Sequence, residues 1–282
     1  MYIFVIPAYN EEQNISQLLR KLKDKMGRRN YSVIIVNDGS RDKTKEIALG
    51  FMKEMPLKVF DHATNLGVGQ VFRTGFKAAL KEAKNDDVII TKEADNTSDL
   101  AILDKLINSI ESGYDIALAS CYAPGGQVVG TSLYRKILSW GANQLVKLIV
   151  PIKGIHTYSS FYRAYRAKYL KDAFILYGDK LIEENGFVCM VELLVKLGKM
   201  KPKVIEIPMV LNGNVREGKS KMRTKATIMA YLRLIAKQLL NIRGGIHDQI
   251  CHGLGGCHFG RDWASLHENG GAKIRAGIIK VK

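Results

Sequence analysis

The sequence predicts an α/β fold: a mainly parallel β-sheet covered by helices. Two observations predict it. Short apolar, β-branched runs alternate with segments of helical spacing throughout the first half of the chain, joined by short connections. Each early apolar run also breaks off abruptly into polar residues. α/β proteins place their ligands at such strand ends.

Taken in order, Tyr2–Ile6 reads as a first strand. Residues 11–26 read as a helix with Ile15, Leu18, Leu19, Leu22 and Met26 on one face, and Asn10 is placed to cap it. Tyr31–Val36 is a second strand, residues 42–52 a second helix and Leu57–Phe60 a third strand. Residues 68–83 form a helix with Val71, Phe72, Gly75, Phe76, Ala79 and Leu80 on one stripe. The run Val88–Thr91 is a strand that ends in Lys92-Glu93-Ala94-Asp95-Asn96, and Ser98 is placed to cap the helix expected at 99–112. A strand at 115–119 follows.

The second half is less regular. Residues 122–130 form a Gly/Pro loop and 133–150 a long apolar helix carrying Arg135, Lys136 and Lys147. Residues 161–166 read as a strand, 186–197 contain a helix, and 203–211 read as a strand near an edge, because Pro202 and Pro208 flank and interrupt it. Residues 212–221 are a basic, Gly-containing loop. Residues 222–240 form an amphipathic helix with Ile228, Leu232, Ile235 and Leu239 on one face and Arg223, Arg233 and Lys237 off it. The pattern collapses from Gly244 onward. The expected organisation is therefore a main domain at 1–221, a basic amphipathic helix at 222–243 whose apolar face is expected to lie on a membrane interface, with core packing as the competing reading, and a Gly- and His-rich appendage or disordered tail at 244–282.

Composition narrows the function. The chain has 282 residues, 46% hydrophobic, enough for one sizeable core. A net charge of +16 implies an anionic partner: phosphorylated substrates, an acidic membrane surface or nucleic acid. No nucleic-acid-binding motif accompanies that charge. Four scattered cysteines do not make a disulfide scaffold, and a reducing compartment is expected. No signal peptide and no spanning helix is expected, so the chain reads as a cytoplasmic protein, soluble or peripheral on a membrane.

The strand ends carry the chemistry. Glu93 and Asp95, one residue apart, can hold a divalent cation through oxygen ligands; a solvated acidic turn is the competing reading. Asp38, before the tight turn at Gly39, can accept hydrogen bonds from a ribose or base, or be a simple turn acid. Asn65-Leu66-Gly67-Val68-Gly69 opens a helix whose amides can approach phosphate. In the tail, His247, Cys251, His252, Cys257 and His258 match no zinc spacing. Gly253–Gly256 lacks the preceding strand a dinucleotide loop needs.

In sequence order, VIPAYNEEQNI, VNDGSRDKT, NLGVGQVFRTGFKAA and EADNTSDL resemble the family 2 glycosyltransferases of GT-A fold. SLYRKILSWGANQLVKLIV, GIHTYSSFYRAYR, GFVCMVELLVKL and VIEIPMVLNGNVREGKSKM resemble the dolichol-phosphate mannosyltransferase branch and its polyprenyl-phosphate hexosyltransferase relatives. The resemblance runs from about residue 2 to 240.

It implies that Pro7, Ala8, Tyr9 and Glu11 line a nucleotide-sugar pocket, with Val36 and Asp38 near the base. Asn65, Gly67, Ala94 and Lys219 are assigned to the same donor. Glu93 and Asp95 take the metal-binding DxD positions for Mg²⁺ or Mn²⁺, with Thr97 at a further ligand position. Arg135, Ser139 and Ser220 fall where the acceptor phosphate binds. Asp95, Arg216 and Lys221 are the expected catalytic residues, the last two in a basic loop closing over donor and acceptor phosphates.

The departures are Glu93 for the usual Asp, Thr97 for a common Gln, and Cys121 for an Arg that many relatives use on the acceptor. The acidic motif of hydroxyl-using relatives is absent; His156-Thr157-Tyr158-Ser159-Ser160 stands in that region. The expected reaction is inverting transfer of a hexose from GDP-mannose or UDP-glucose to a polyprenyl phosphate at a membrane surface. Two alternatives stay open: a family 2 transferase acting on a hydroxyl, and a non-catalytic GT-A-like protein that binds a membrane or nucleic acid.

Overall fold

In the computed structural model, residues 1–218, 221, 224–243, 274–275 and 278–281 are described. Strand β1 (Tyr2–Ala8) is flanked by helix α1 (Ile15–Met26), strand β2 (Tyr31–Asn37), helix α2 (Thr44–Phe51), strand β3 (Leu57–His62), helix α3 (Val68–Glu82) and strand β4 (Val88–Thr91). Helix α4 (Leu103–Glu111), strands β5 (Ile116–Ser120) and β6 (Gln127–Val129), helix α5 (Leu133–Ile149), strand β7 (Arg163–Arg166), and helices α6 (Ala167–Tyr177) and α7 (Cys189–Lys199) follow. Strands β8 (Val204–Pro208) and β9 (Val210–Asn212), helix α8 (Thr224–Arg243), and strands β10 (Ile274–Arg275) and β11 (Ile278–Val281) complete it.

The main sheet runs β10-β11-β3-β2-β1-β4-β7-β5-β8. β1, β2, β3 and β4 pair in parallel, so their carboxyl ends share one edge. β7 enters antiparallel between β4 and β5, opposing Thr91 to Arg163, and its entry is secured by the Thr91 hydroxyl donating to the Phe161 carbonyl at 2.6 Å. Residues on β1 alternate between two cores. Ile3 and Val5 face α3, α6 and α7, while Phe4 and Ile6 face α1 and α4. Helix α3 lies close on the sheet because Gly75 has no side chain: a Cβ there would meet Val5 Cγ1 at 2.3 Å.

Several local expectations are corrected. α1 begins at Ile15, not at 11, and Asn10 does not cap it. Asn10 takes a left-handed φ of 52° and its side-chain oxygen accepts from the Arg41 amide, tying the ends of β1 and β2 together. Ser98 is not a cap either: Asp99 accepts from the Ala101 amide at 2.9 Å and starts a 3₁₀ turn ahead of α4. The expected strand at 203–211 divides at Met209. β8 forms the sheet edge, and β9 leaves to pair with β6.

The stripe expected to face a membrane on α8 does not pack on the domain. Ala230, Leu234 and Gln238 face inward, while Ile228, Leu232 and Leu239 are exposed. Lys237 bonds Glu183 at 2.7 Å, anchoring the helix. α5 is likewise mostly exposed, with Leu133 and Leu148 at 72% and 80% and Ile137 and Trp140 also open. Within the expected tail, β11 pairs in parallel with β3, so this piece extends the sheet. The histidines and cysteines of the tail motifs lie outside the described residues.

Candidate active site

β4 is one of the central strands of the sheet, and it stops at Thr91 because Lys92–Asn96 turns away from the ladder. Asn96 closes that turn with φ 60°, a left-handed conformation that Asn tolerates. Its amide donates to the Asn14 carbonyl at 3.0 Å. Asp95 is thereby presented at the sheet edge. The Thr97 amide and hydroxyl donate to one of its oxygens at 3.1 and 2.7 Å, and the Arg216 guanidinium pairs with the other. Burial raises the Asp95 carboxyl, but the Arg216 charge and the Thr97 bonds outweigh it and hold it below its ordinary value. Asp95 is an anion at neutral pH.

Glu93 differs. Burial pushes its carboxyl above the usual range, only partly offset by the neighbouring Lys92 ammonium. The Ser98 hydroxyl donates to it at 3.3 Å. Lys92 is itself fully buried, with its ammonium 5.0 Å from the Tyr162 ring centroid and no hydrogen-bond partner among the described residues. Sequence reading passed over it, because a lysine in a strand-end turn looks solvated. Thr97 acts here as a donor to Asp95.

On the donor side, Glu11 accepts from Asn14 at 2.7 Å and pairs with Lys221 at 3.1 Å. Burial nevertheless raises its carboxyl. Pro7, Ala8 and Tyr9 sit at and just past the end of β1, beside the end of β2. The Val36 side chain is corrected to a core position, fully buried beneath Gly75. Asp38 is buried and committed. It accepts from the Leu66 and Gly67 amides at 2.9 Å and pairs with His62 at 2.8 Å. The Gly67 amide, expected to approach phosphate, is therefore spent on Asp38. Gly67 and Gly69 are needed for another reason: a Cβ at either would strike the Asn185 or Glu184 carbonyl, at 2.5 and 1.9 Å. Asn65 reaches the Asp38 carbonyl at 3.4 Å.

A cavity of about 120 Å³ opens beside Glu93, lined also by Cys121, Arg135, Lys136, Ser139 and Thr157. Arg135 and Ser139 thus share one cavity with Glu93. Burial pushes the Cys121 thiol up to about 11, so it is a neutral wall residue. The buried Glu206 accepts from the His156 and Thr157 amides at 2.7 Å and pairs with His156 Nδ1 at 2.8 Å, fixing the loop that forms one side of the cavity. Strand β8 gave no sequence signal for this role of Glu206. Lys219 and Ser220 lie outside the described residues.

The carboxylate pair fits a divalent cation by the chemistry of its two acids, one firmly ionised and one that gains from a nearby positive charge, in a place where the Arg216 guanidinium already supplies positive charge to Asp95. Two carboxylates leave most of the coordination to substrate oxygens and water.

A mostly parallel sheet thus carries a paired-acid turn at the end of a central strand, faced by the basic residues Arg216 and Lys221. The chain belongs to glycosyl transferase family 2, whose family model matches residues 3–174. The dolichol-phosphate mannosyltransferase of Pyrococcus furiosus is 33% identical over 234 residues, 82% of this chain and 61% of that protein. The polyprenol monophosphomannose synthase of Mycolicibacterium smegmatis is 26% identical over 208 residues, 73% of this chain and 75% of that one. Among solved structures, glucosyl-3-phosphoglycerate synthase from Mycobacterium tuberculosis, crystallised with Mn²⁺, UDP and phosphoglyceric acid, aligns with a TM-score of 0.58. It is 17% identical, covering 88% of this chain and 80% of that one, a likeness of fold. The sheet and its helices are those of a GT-A fold.

Proposed function

We propose that this protein transfers a hexose from a nucleotide sugar, GDP-mannose or UDP-glucose, to a polyprenyl phosphate, inverting the configuration at C1. The observation that carries this reading is the junction of two sites at Glu93. That residue is paired in sequence with Asp95 on the donor side and lines the cavity holding Arg135 and Ser139 on the other. The names of the Pyrococcus and Mycolicibacterium relatives supply the acceptor class.

Glu93 and Asp95 would hold Mg²⁺ or Mn²⁺, which when bound neutralises the diphosphate of the donor. Arg216 and Lys221 add positive charge on the same side, stabilising the diphosphate as it leaves. Arg135, Lys136 and Ser139 receive the acceptor phosphate. One of its oxygens forms the new bond to C1 as the bond from C1 to the diphosphate breaks. A phosphate is already anionic at pH 7, so no general base is required. The exposed apolar residues of α5 and α8 rest on a membrane, its cytoplasmic face, and bring the lipid phosphate to the cavity.

One observation favours a second reading, transfer to a hydroxyl. A hydroxyl acceptor needs a base, and His156 is partly exposed and oriented by Glu206 at 2.8 Å beside the cavity wall. A direct comparison separates the two: a nucleotide sugar and Mn²⁺ offered with a short polyprenyl phosphate or with the matching prenol. Product from the phosphate alone supports the proposal; product from the alcohol alone supports the second reading.

A further inference from the structure

Asn14 occupies the N-cap position of α1 yet makes no cap bond with its side chain. Asn at that position ordinarily satisfies a free amide of the first turn. Here the side chain is committed elsewhere, in a residue only 2% exposed. Its Nδ2 donates to the Glu217 carbonyl at 2.9 Å, and its Oδ1 accepts from the Glu217 amide at 3.0 Å. The two bonds form a closed pair with the main chain of a single residue, 203 positions away in sequence. They also fix the amide orientation, since the Glu217 N–H can only donate and its carbonyl only accept.

The same residue reaches both halves of the acidic site. Its Nδ2 also donates to Glu11 at 2.7 Å, and its carbonyl accepts from Asn96, the residue after Asp95. Arg216, immediately before the clamped Glu217, is thereby directed at Asp95, with which its guanidinium pairs. Three parts of the chain that carry charge for the reaction meet on one buried amide.

We propose that Asn14 is a positioning residue: it holds Arg216 against Asp95, where a guanidinium both supports the leaving diphosphate and occupies the cation position before substrate arrives. The proposal rests on the reading of Glu93 and Asp95 as a metal-diphosphate site. It makes no use of the sugar or the acceptor. Asn14 touches no substrate and acts through Arg216.

The test is a double-mutant cycle of Asn14→Ser and Arg216→Ala in the full chain, read by Mn²⁺ binding without nucleotide. Serine can cap α1, but its single hydroxyl cannot bridge both Glu217 groups. Asn14→Ser is expected to tighten Mn²⁺ binding about fivefold, as Arg216→Ala does, and to add nothing in the Arg216→Ala background. In transfer assays it is expected to lower kcat about tenfold while leaving the KM of the donor nearly unchanged. Should the serine variant fail to fold, Asn14→Asp runs the same cycle, since it keeps an acceptor for the Glu217 amide and loses the donor.

Unchanged Mn²⁺ binding in both Asn14 variants, or effects that add to those of Arg216→Ala, would overturn the proposal while leaving the metal reading intact. A wild-type protein that binds no Mn²⁺ even with GDP or UDP present would overturn the metal reading, and this proposal with it.

Discussion

Arg216 pairs with Asp95 across 121 residues of sequence, and this contact sets the charge of the candidate active site. It keeps Asp95 ionised in spite of its burial and brings a cation to the end of β4. Arg216→Ala is expected to lower transfer by about a hundredfold, the usual cost of losing one charge-stabilising group. Arg216→Lys is expected to recover only part of the loss, since a point charge replaces a fork. Steady-state kinetics with a labelled nucleotide sugar checks both.

Glu93 and Asp95 respond to pH in opposite senses. Glu93 has a folded-state pKa above its unfolded value, because burial disfavours its charge. Its contribution to stability is therefore intact below the ordinary carboxyl range and is lost as pH rises through the raised value. Asp95 is held below its unfolded value, so its contribution is present at neutral pH and is lost as acid protonates it. Glu93→Gln is expected to raise the Tm at pH 7, with the gain vanishing below about pH 4. The same variant is expected to lose the extra stabilisation that Mn²⁺ with a nucleoside diphosphate gives the wild type. Thermal melts over a pH series decide this.

The strand ends were legible in the sequence because their chemistry is local. A β-branched run broken by ExD or NDG announces a sheet edge whatever the rest of the chain does. The role of Gly69 was not legible as it stands: the sequence shows a glycine at a helix start, and only packing shows that the Glu184 carbonyl occupies the space of its missing side chain. Asn14 and Glu206 were missed for a related reason, since their partners lie 203 and 50 residues away. The packed face of α8 was not legible, because Ala230 and Gln238, weak apolar signals, form it with Leu234 while the stronger Ile228 and Leu232 are exposed.

The exposed apolar residues of α5 lead to a separable prediction. Replacing Ile137, Trp140 and Leu148 by Ser is expected to weaken binding to anionic phospholipid vesicles by about a hundredfold or more, because each apolar side chain buried in the membrane contributes about 1.5–3 kcal/mol and about 1.4 kcal/mol is tenfold. The Tm is expected to hold, since these side chains are exposed in the folded chain. Vesicle sedimentation together with a thermal melt reads both. Loss of stability in place of vesicle binding would mean that the face packs on protein.

Packing beneath the donor side is equally testable. Gly75→Ala would force a Cβ to 2.3 Å from Val5 Cγ1. The expected cost is about 1–3 kcal/mol of stability, the range for overpacking a filled core. Denaturant unfolding measures it, and a neutral effect would contradict the close seating of α3 on β1.

The most direct measurement of the central claim is transfer of a labelled hexose from GDP-mannose or UDP-glucose to a polyprenyl phosphate, with Mn²⁺, by the wild type and by Asp95→Asn. The expected result is a lipid-linked sugar phosphate from the wild type, abolished by a chelator and nearly abolished in Asp95→Asn. Full activity in that variant would contradict the assignment of Asp95 to the metal and the donor diphosphate.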